Sequence, residues 1–239
     1  MNNEVLITGA ARRIGQYLTH HFAKLGYSVI MHVNNSEDEA HKLQASLKDS
    51  YPAQQFEVFK YDLRNWKVLS QPVNDLFDQI GTPDLIIHNA SYYLEKDLIN
   101  TSEEDMEAMM AIHLFSPMVI GRELRKKGEK GQVISILDTA IVSNASHHGM
   151  YLLAKKSLAE YTKMAALEWA PEIRVNAIAP GPVLPVETKS QSDFNKVVDS
   201  SPLKTQVELN SISSSIDYLL ANKNITGQII YCDSGQHLL

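Results

Sequence analysis

The stretch EVLITGAARRIGQYLTHHFAKLG, residues 4–26, changes its period part-way along. A short β-branched run, EVLITG, gives way to apolar residues at helical spacing from about Ile14 to Leu25. Between the two lies TGAARRIG, Thr8 to Gly15, with a glycine at each side of the turn. A strand that turns through glycine into an amphipathic helix opens a βαβ unit, and the rest of the chain repeats that step.

Working outward, strand-like runs and helical runs alternate. SVIMHV is followed by a helix from about Glu37, FEVFKYD by a helix around Val68 to Ile80, and DLIIHNA by a long helix from about Ser102 to Lys126. GQVISILD precedes a helix from Tyr151 to about Trp169, IRVNAIAP a helix near Val207 to Leu220, and QIIYCDS ends the series. Seven strands joined by helical crossovers predict an α/β fold, a doubly wound parallel sheet with helices on both faces. One element breaks the pattern: 182–205, PVLPVETKSQSDFNKVVDSSPLKT, is polar, lacks strong periodicity and follows a strand, as either a substrate lid or a surface excursion does.

The 239 residues show no linker, charge block or composition shift, so a single domain over 1–239 is expected. Apolar residues make up 44% and charged residues 21%, ordinary for a globular chain. A net charge of -6 without basic runs argues against nucleic acid or an anionic membrane as the main partner. MNNEVLITGA lacks a basic segment followed by an apolar core, and no apolar run approaches the roughly 18 residues that span a bilayer. A cytoplasmic location is expected. The lone Cys232 permits no internal disulfide and reads as an inert strand residue, and the histidines show no metal-ligand spacing.

In a doubly wound sheet, ligands bind beyond the carboxyl ends of the strands. In the first loop, Gly9, Arg12, Arg13, Ile14 and Gly15 meet the requirements of a pyrophosphate: close backbone approach and the unpaired N–H groups of a helix start. At the end of the second strand Asn34, Asn35 and Ser36 stand where an acid would bind a ribose 2′-hydroxyl and repel a 2′-phosphate. With no carboxylate before Glu37, and with Arg12 adding a cation, NADPH is favoured over NADH. Asp62 and Leu63, Asn89 and Ala90, and Pro180 and Gly181 close further strands and are candidate cofactor contacts, although Asp62 and Asn89 also suit plain turn or helix caps.

Tyr151 and Lys155 are i and i+4 on one helix and point the same way. A free tyrosine has a pKa of about 10, and a nearby ammonium lowers it by stabilising the phenolate, which makes the pair a candidate general acid. Asp138 ends a strand shortly before them and can turn its carboxyl to the same cleft. A surface tyrosine with a lysine neighbour is the alternative.

With these residues in hand, the chain resembles the short-chain dehydrogenase/reductase family over nearly its whole length. TGAARRIG looks like the family's TGxxxGxG loop, HNAS like NNAG, YLLAK like YxxxK, and DSGQHL is similar to its D-G-G close. The resemblance implies a Rossmann-type sheet and an NADPH-dependent reductase. Arg13 in place of the middle glycine, Ser91 in place of the last glycine of NNAG, and Asp138 in place of the catalytic serine resemble the pteridine reductase branch, and within it the bacterial dihydromonapterin reductases. His113 in AIHLFSP, where the wider family has an asparagine, is similar to that branch as well.

That likeness implies reduction of the ring C=N bond of a 7,8-dihydropterin, with dihydromonapterin, dihydrobiopterin and dihydrofolate as alternatives. It gives Asp138, Tyr151 and Lys155 the catalytic roles, with Lys155 also on the nicotinamide ribose, and gives Arg13, Ser91, Tyr93, Asp138 and Tyr151 the substrate. Tyr93 would stack on the pterin, with Tyr92 its rival. A carboxyl at 138 suits a pterin because, once protonated, it both donates and accepts hydrogen bonds. His113 would link Lys155 to solvent or be a buried structural histidine, and His147 and His148 border the site or are simply solvated. A general carbonyl or 3-oxoacyl-thioester reductase is the alternative enzyme, and a non-catalytic NADPH-sensing regulator the alternative outside catalysis. The resemblance also implies a homotetramer, or a homodimer, assembled on the helices around 106–125 and 151–169.

Overall fold

A computed structural model describes residues 3–128, 130–186 and 190–239. The strands are β1 (Glu4–Thr8), β2 (Ser28–Val33), β3 (Phe56–Lys60), β4 (Leu85–His88), β5 (Gly131–Ile136), β6 (Ile173–Pro180) and β7 (Ile229–Cys232). They form one seven-stranded, all-parallel sheet in the order β3-β2-β1-β4-β5-β6-β7. The order reverses between β1 and β4, so the crevice beyond their carboxyl ends is where a ligand belongs.

The helices are α1 (Arg13–Lys24), α2 (Glu37–Ser50), α3 (Ser70–Ile80), α4 (Glu103–Met110), α5 (Ser116–Lys126), α6 (Gly149–Trp169), α7 (Gln191–Ser200) and α8 (Leu209–Ala221). Alternate residues of each buried strand feed opposite layers. Val5 and Ile7 of β1 join Leu18 and Phe22 of α1 and Ile212, Ile216 and Leu219 of α8 on one face. Leu6 joins Val73 and Phe77 of α3, Ile120 and Leu124 of α5, and Trp169 of α6 on the other. Each such side chain, fully buried, contributes about 1.5–3 kcal/mol, and this two-sided burial makes the strands read as continuous apolar runs.

Three elements differ from the sequence expectation. The long helix of 102–126 is α4 and α5 joined by a π-helical turn, Ala111–Phe115, that carries His113; its start is set by a capping box of Ser102 and Asp105. A 3₁₀ segment, Leu63–Val68, precedes α3 and delays its start. Within 182–205, Ser190 caps α7 by accepting from Asp193 N, and Phe194 is buried beneath it. Its four-residue spacing to Val198 is too short to show a period. Residues 187–189 of that segment lie outside the described residues. Among the described residues no helix is long and apolar enough to cross a membrane.

Candidate active site

A cleft of about 1490 Å³ opens at the carboxyl ends of the strands. Pockets for one small ligand measure roughly 300–1,000 Å³, so this one has room for a dinucleotide and a second molecule. All the sequence-predicted site residues line it: Gly9, Arg12, Arg13, Ile14 and Gly15; Asn34, Asn35 and Ser36; Asp62 and Leu63; Asn89, Ala90, Ser91 and Tyr93; Asp138, Tyr151 and Lys155; Pro180 and Gly181. Tyr92 lines it as well.

Asp138, Tyr151 and Lys155 meet at its centre. Asp138 follows β5 and caps a 3₁₀ turn, Thr139–Val142, accepting Ala140 N on Oδ1 at 2.8 Å. Its Oδ2 accepts the Tyr151 hydroxyl at 2.8 Å. Lys155 Nζ, fully buried, donates to Ile136 O at 2.7 Å and lies 5.8 Å from the Tyr151 ring centre. Burial outweighs the attraction of Asp138 and lowers the Lys155 ammonium to about 8. The Tyr151 phenol does not shift down as the pairing with Lys155 leads one to expect. Burial, then the charge and hydrogen bond of Asp138, push it well above the ordinary tyrosine range, against a hydrogen bond from Ser91.

Aromatic rings wall this cluster. Tyr93 meets Tyr151 edge to face at 5.1 Å and 73°, and His148 lies within 6.2 Å of both rings. Of the rival tyrosines, Tyr93 is the one whose ring packs on the Tyr151 ring; Tyr92 is held by its backbone. His113, 1% exposed, accounts for that hold: its Nε2 donates to Tyr92 O at 2.9 Å while its ring stands edge-on to Tyr151. It is therefore a buried brace of the 91–93 loop.

In the other half of the cleft, α1 begins without a side-chain cap and without an acid in its first turn. Its N-terminal N–H groups and partial positive charge face the cleft. Gly9 holds φ +65°, and a Cβ on Gly15 would fall 2.0 Å from Gly9 O, so both glycines are required by geometry. Asn89 braces this loop by donating Nδ2 to Thr8 O and Gly9 O at 2.9 and 3.1 Å. Asp62 spends its carboxylate locally, on Arg64 N at 3.0 Å and on the Arg64 guanidinium, which depresses its pKa. Arg13 sits at φ +54° and donates to Pro185 O at 2.9 Å, so it reaches the segment after β6. Lys60 pairs with Glu37, the first acid after β2, and lowers its pKa.

Residues 9–237 match a family model, adh_short_C2, described as enoyl-(acyl carrier protein) reductase. The chain belongs to this short-chain dehydrogenase/reductase family. Among curated proteins it is 29% identical to a dihydromonapterin reductase of Enterobacter sp., over 98% of this chain and 96% of that one. It is 28% identical to the 3-oxoacyl-[acyl-carrier-protein] reductase FabG of Staphylococcus epidermidis, over the full length of both. Among solved structures it resembles FolM alternative dihydrofolate reductase 1 of Brucella canis complexed with NADP, with 34% identity, a TM-score of 0.91, and 100% and 95% of the two chains covered.

As a short-chain dehydrogenase/reductase, the chain is an NADPH-dependent oxidoreductase. Its residues fit the cofactor: a glycine cradle that any Cβ would obstruct, an uncapped helix start for the pyrophosphate, and no unpaired acid at the end of β2. The sequence reading did not single out Thr139, whose hydroxyl donates to the buried Asp233, nor Arg64, Phe194 and Val197, which also line the cleft. The DSG at 233–235 was the available signal for Asp233, but a motif carries no partner. Cys232 is half-buried and its thiol is shifted up by burial, which agrees with an inert residue. Among the described residues no group of His, Cys, Asp and Glu is placed to hold a metal.

Proposed function

We propose that this reductase converts a 7,8-dihydropterin into the tetrahydropterin by reducing the ring C=N bond. The observation that carries the reading is the carboxyl of Asp138 hydrogen-bonded to the Tyr151 hydroxyl, where a carbonyl reductase of the family would have a serine. A pterin presents neighbouring ring and amino N–H donors, and the two oxygens of a carboxyl offer them more acceptor sites than a single hydroxyl does. The exposed face of Tyr93 beside that pair supports the same reading, as do the printed activities of the dihydromonapterin reductase and FolM relatives.

NADPH, when bound, supplies the hydride. The chain's residues do the rest. Gly9, Ile14 and Gly15 with the start of α1 take the pyrophosphate, Arg12, Asn34, Asn35 and Ser36 the 2′-phosphate side, and Asp62, Leu63, Asn89, Ala90, Pro180 and Gly181 the remaining contacts. Tyr93 stacks on the pterin, and Ser91 and Arg13 bind its polar edge. Tyr151, kept protonated by burial and Asp138, holds the proton required at the ring nitrogen; Lys155, a cation below about pH 8, faces the phenol and stabilises it once the proton has left. The chain acts as a single domain in the cytoplasm, and it assembles as a homotetramer or homodimer through the exposed apolar positions Met118, Leu153, Met164 and Leu167 of α5 and α6.

The test is NADPH oxidation with dihydromonapterin, dihydrobiopterin, dihydrofolate and a 3-oxoacyl thioester side by side. Turnover is expected with a dihydropterin; turnover of the thioester alone sinks the reading and favours the activity printed for FabG. Cofactor choice has its own check. Lys60→Ala releases Glu37 beside the 2′-phosphate site and is expected to raise KM for NADPH by about threefold while KM for NADH moves less. Equal parental rates with NADH and NADPH defeat the roles given to Asn35 and Ser36.

A further inference from the structure

Asp233 has no part in the mechanism above, yet it is 3% exposed and fully hydrogen-bonded. Its Oδ2 accepts from Thr139 Oγ1 at 2.5 Å and from His237 N at 2.7 Å, and its Oδ1 accepts from Gly235 N at 3.0 Å. His237 Nδ1 lies 2.9 Å from Oδ2. Burial alone would raise this carboxyl; the hydrogen bonds of Thr139 and His237 reverse that and keep it below the usual carboxylate range. The loop after β6 makes room for it, since a Cβ on Gly181 would lie 2.8 Å from Asp233 Cα.

Thr139 is the residue after Asp138, and Asp138 is itself tied to Ala140 N. The three residues form one turn. One end of its side-chain set faces Tyr151, and the other is anchored to the chain beyond β7.

We propose that Asp233 is a positioning residue: through Thr139 it holds the turn that aims the Asp138 carboxyl at Tyr151, and the C-terminal segment at His237 completes the anchor. The inference rests on the catalytic role given to Asp138 under the proposed function. Its physical content is distance. A displacement of about 1 Å at a reacting group can cost about a hundredfold in rate, and the Thr139 hydroxyl is the side-chain link by which this turn, otherwise held by its own local bonds, is fixed to the chain beyond β7.

The experiment compares Thr139→Val, Thr139→Ser and Asp233→Asn in the full chain. Thr139→Val and Asp233→Asn are expected to lower kcat for dihydropterin reduction about tenfold with KM for NADPH unchanged, whereas Thr139→Ser, which keeps the hydroxyl, stays within about twofold of the parent. The double variant is expected to be no worse than either single, because both break the same link. A second readout needs no substrate: ultraviolet difference titration against Tyr151→Phe follows the Tyr151 phenol. Its midpoint is expected to move down toward the ordinary tyrosine value in Thr139→Val and Asp233→Asn, since a loosened Asp138 no longer raises it. A midpoint and a kcat that both stay parental overturn the positioning role, whatever happens to thermal stability. A parent that reduces no dihydropterin defeats the substrate assignment, and the titration then still decides this one.

Discussion

Tyr151→Phe and Asp138→Ala are each expected to lower dihydropterin turnover by about 10²–10⁴-fold, the range of a lost general acid, with the Kd for NADPH changed by less than about threefold. Tyr151→Phe removes the hydroxyl that donates to Asp138 at 2.8 Å and leaves the ring that packs on Tyr93 and His113. Cleft shape survives, and the proton source does not. Asp138→Ala leaves that source but frees it from the carboxyl that holds it, and removes the hydrogen-bonding partner for the pterin ring. Single-turnover kinetics with saturating NADPH, alongside fluorescence titration of the cofactor, separates the two quantities. Activity of Asp138→Ala equal to the parent's removes the acid from the mechanism and leaves Tyr151 and Lys155 as the machinery of a general reductase.

Acid is expected to destabilise the protein steeply, because three histidines are buried in neutral form. Burial holds His32 down to about 4, and His88 and His113 each to about 3. Free imidazoles titrate near 6.5, so below about pH 6.5 the unfolded chain binds protons that the folded chain refuses. Folded values below unfolded ones mean that this penalty is absent above about pH 6.5 and grows as the pH falls toward 4. Glu4 works the other way: burial, and then Asp84, raise it to about 7, so the folded chain keeps a proton there that the unfolded chain loses. Three protons less one leave a net of about two, and stability falls by up to about 2.7 kcal/mol per pH unit between roughly pH 6 and 4.5. Against a total of about 5–15 kcal/mol, the roughly 4 kcal/mol lost over that window removes most of the stability at the low end of the range and about a quarter of it at the high end. Urea melts at stepped pH measure the slope, and His88→Leu is expected to reduce it by about one proton; a stability flat from pH 7 to 4.5 contradicts the buried-neutral assignment.

The parallel sheet was legible because strands buried on both faces are apolar throughout, and the glycine loop because two glycines meet a need no other residue meets. Asp138, Tyr151 and Lys155 were legible for a related reason: helical spacing and a strand end restrict where side chains point. What stayed hidden depended on contacts between distant segments. Nothing local to Asp233 names Thr139 as its partner, and nothing local to Tyr151 shows that its nearest strong electrostatic neighbour is Asp138 and not Lys155. Asp62 was legible both as a cofactor contact and as a turn cap, and the cap is formed with Arg64, two residues on, whose guanidinium also pairs with the carboxylate in the cleft wall. α7 escaped notice because its buried face is little more than Phe194, too few residues to show a period. The π-turn at Ala111–Phe115 left no trace in the spacing, since one extra residue in a helix does not disturb an apolar pattern that continues on both sides.

The strand order also fixes when, during folding, the cleft comes into being. β1 hydrogen-bonds β2 about two dozen residues later, but its other neighbour, β4, lies some 80 residues along the chain. Loop-closure entropy therefore sets the joining of the two half-sheets late and makes it slow. The cleft lies across that seam, with Gly9 and Asn34 on one side and Asp138, Tyr151 and Gln236 on the other. A half-formed sheet has a glycine loop but nothing opposite it. Cofactor affinity thus belongs to the finished molecule alone, and by mass action NADPH holds chains in the folded state once the slow closing step is complete, without speeding that step.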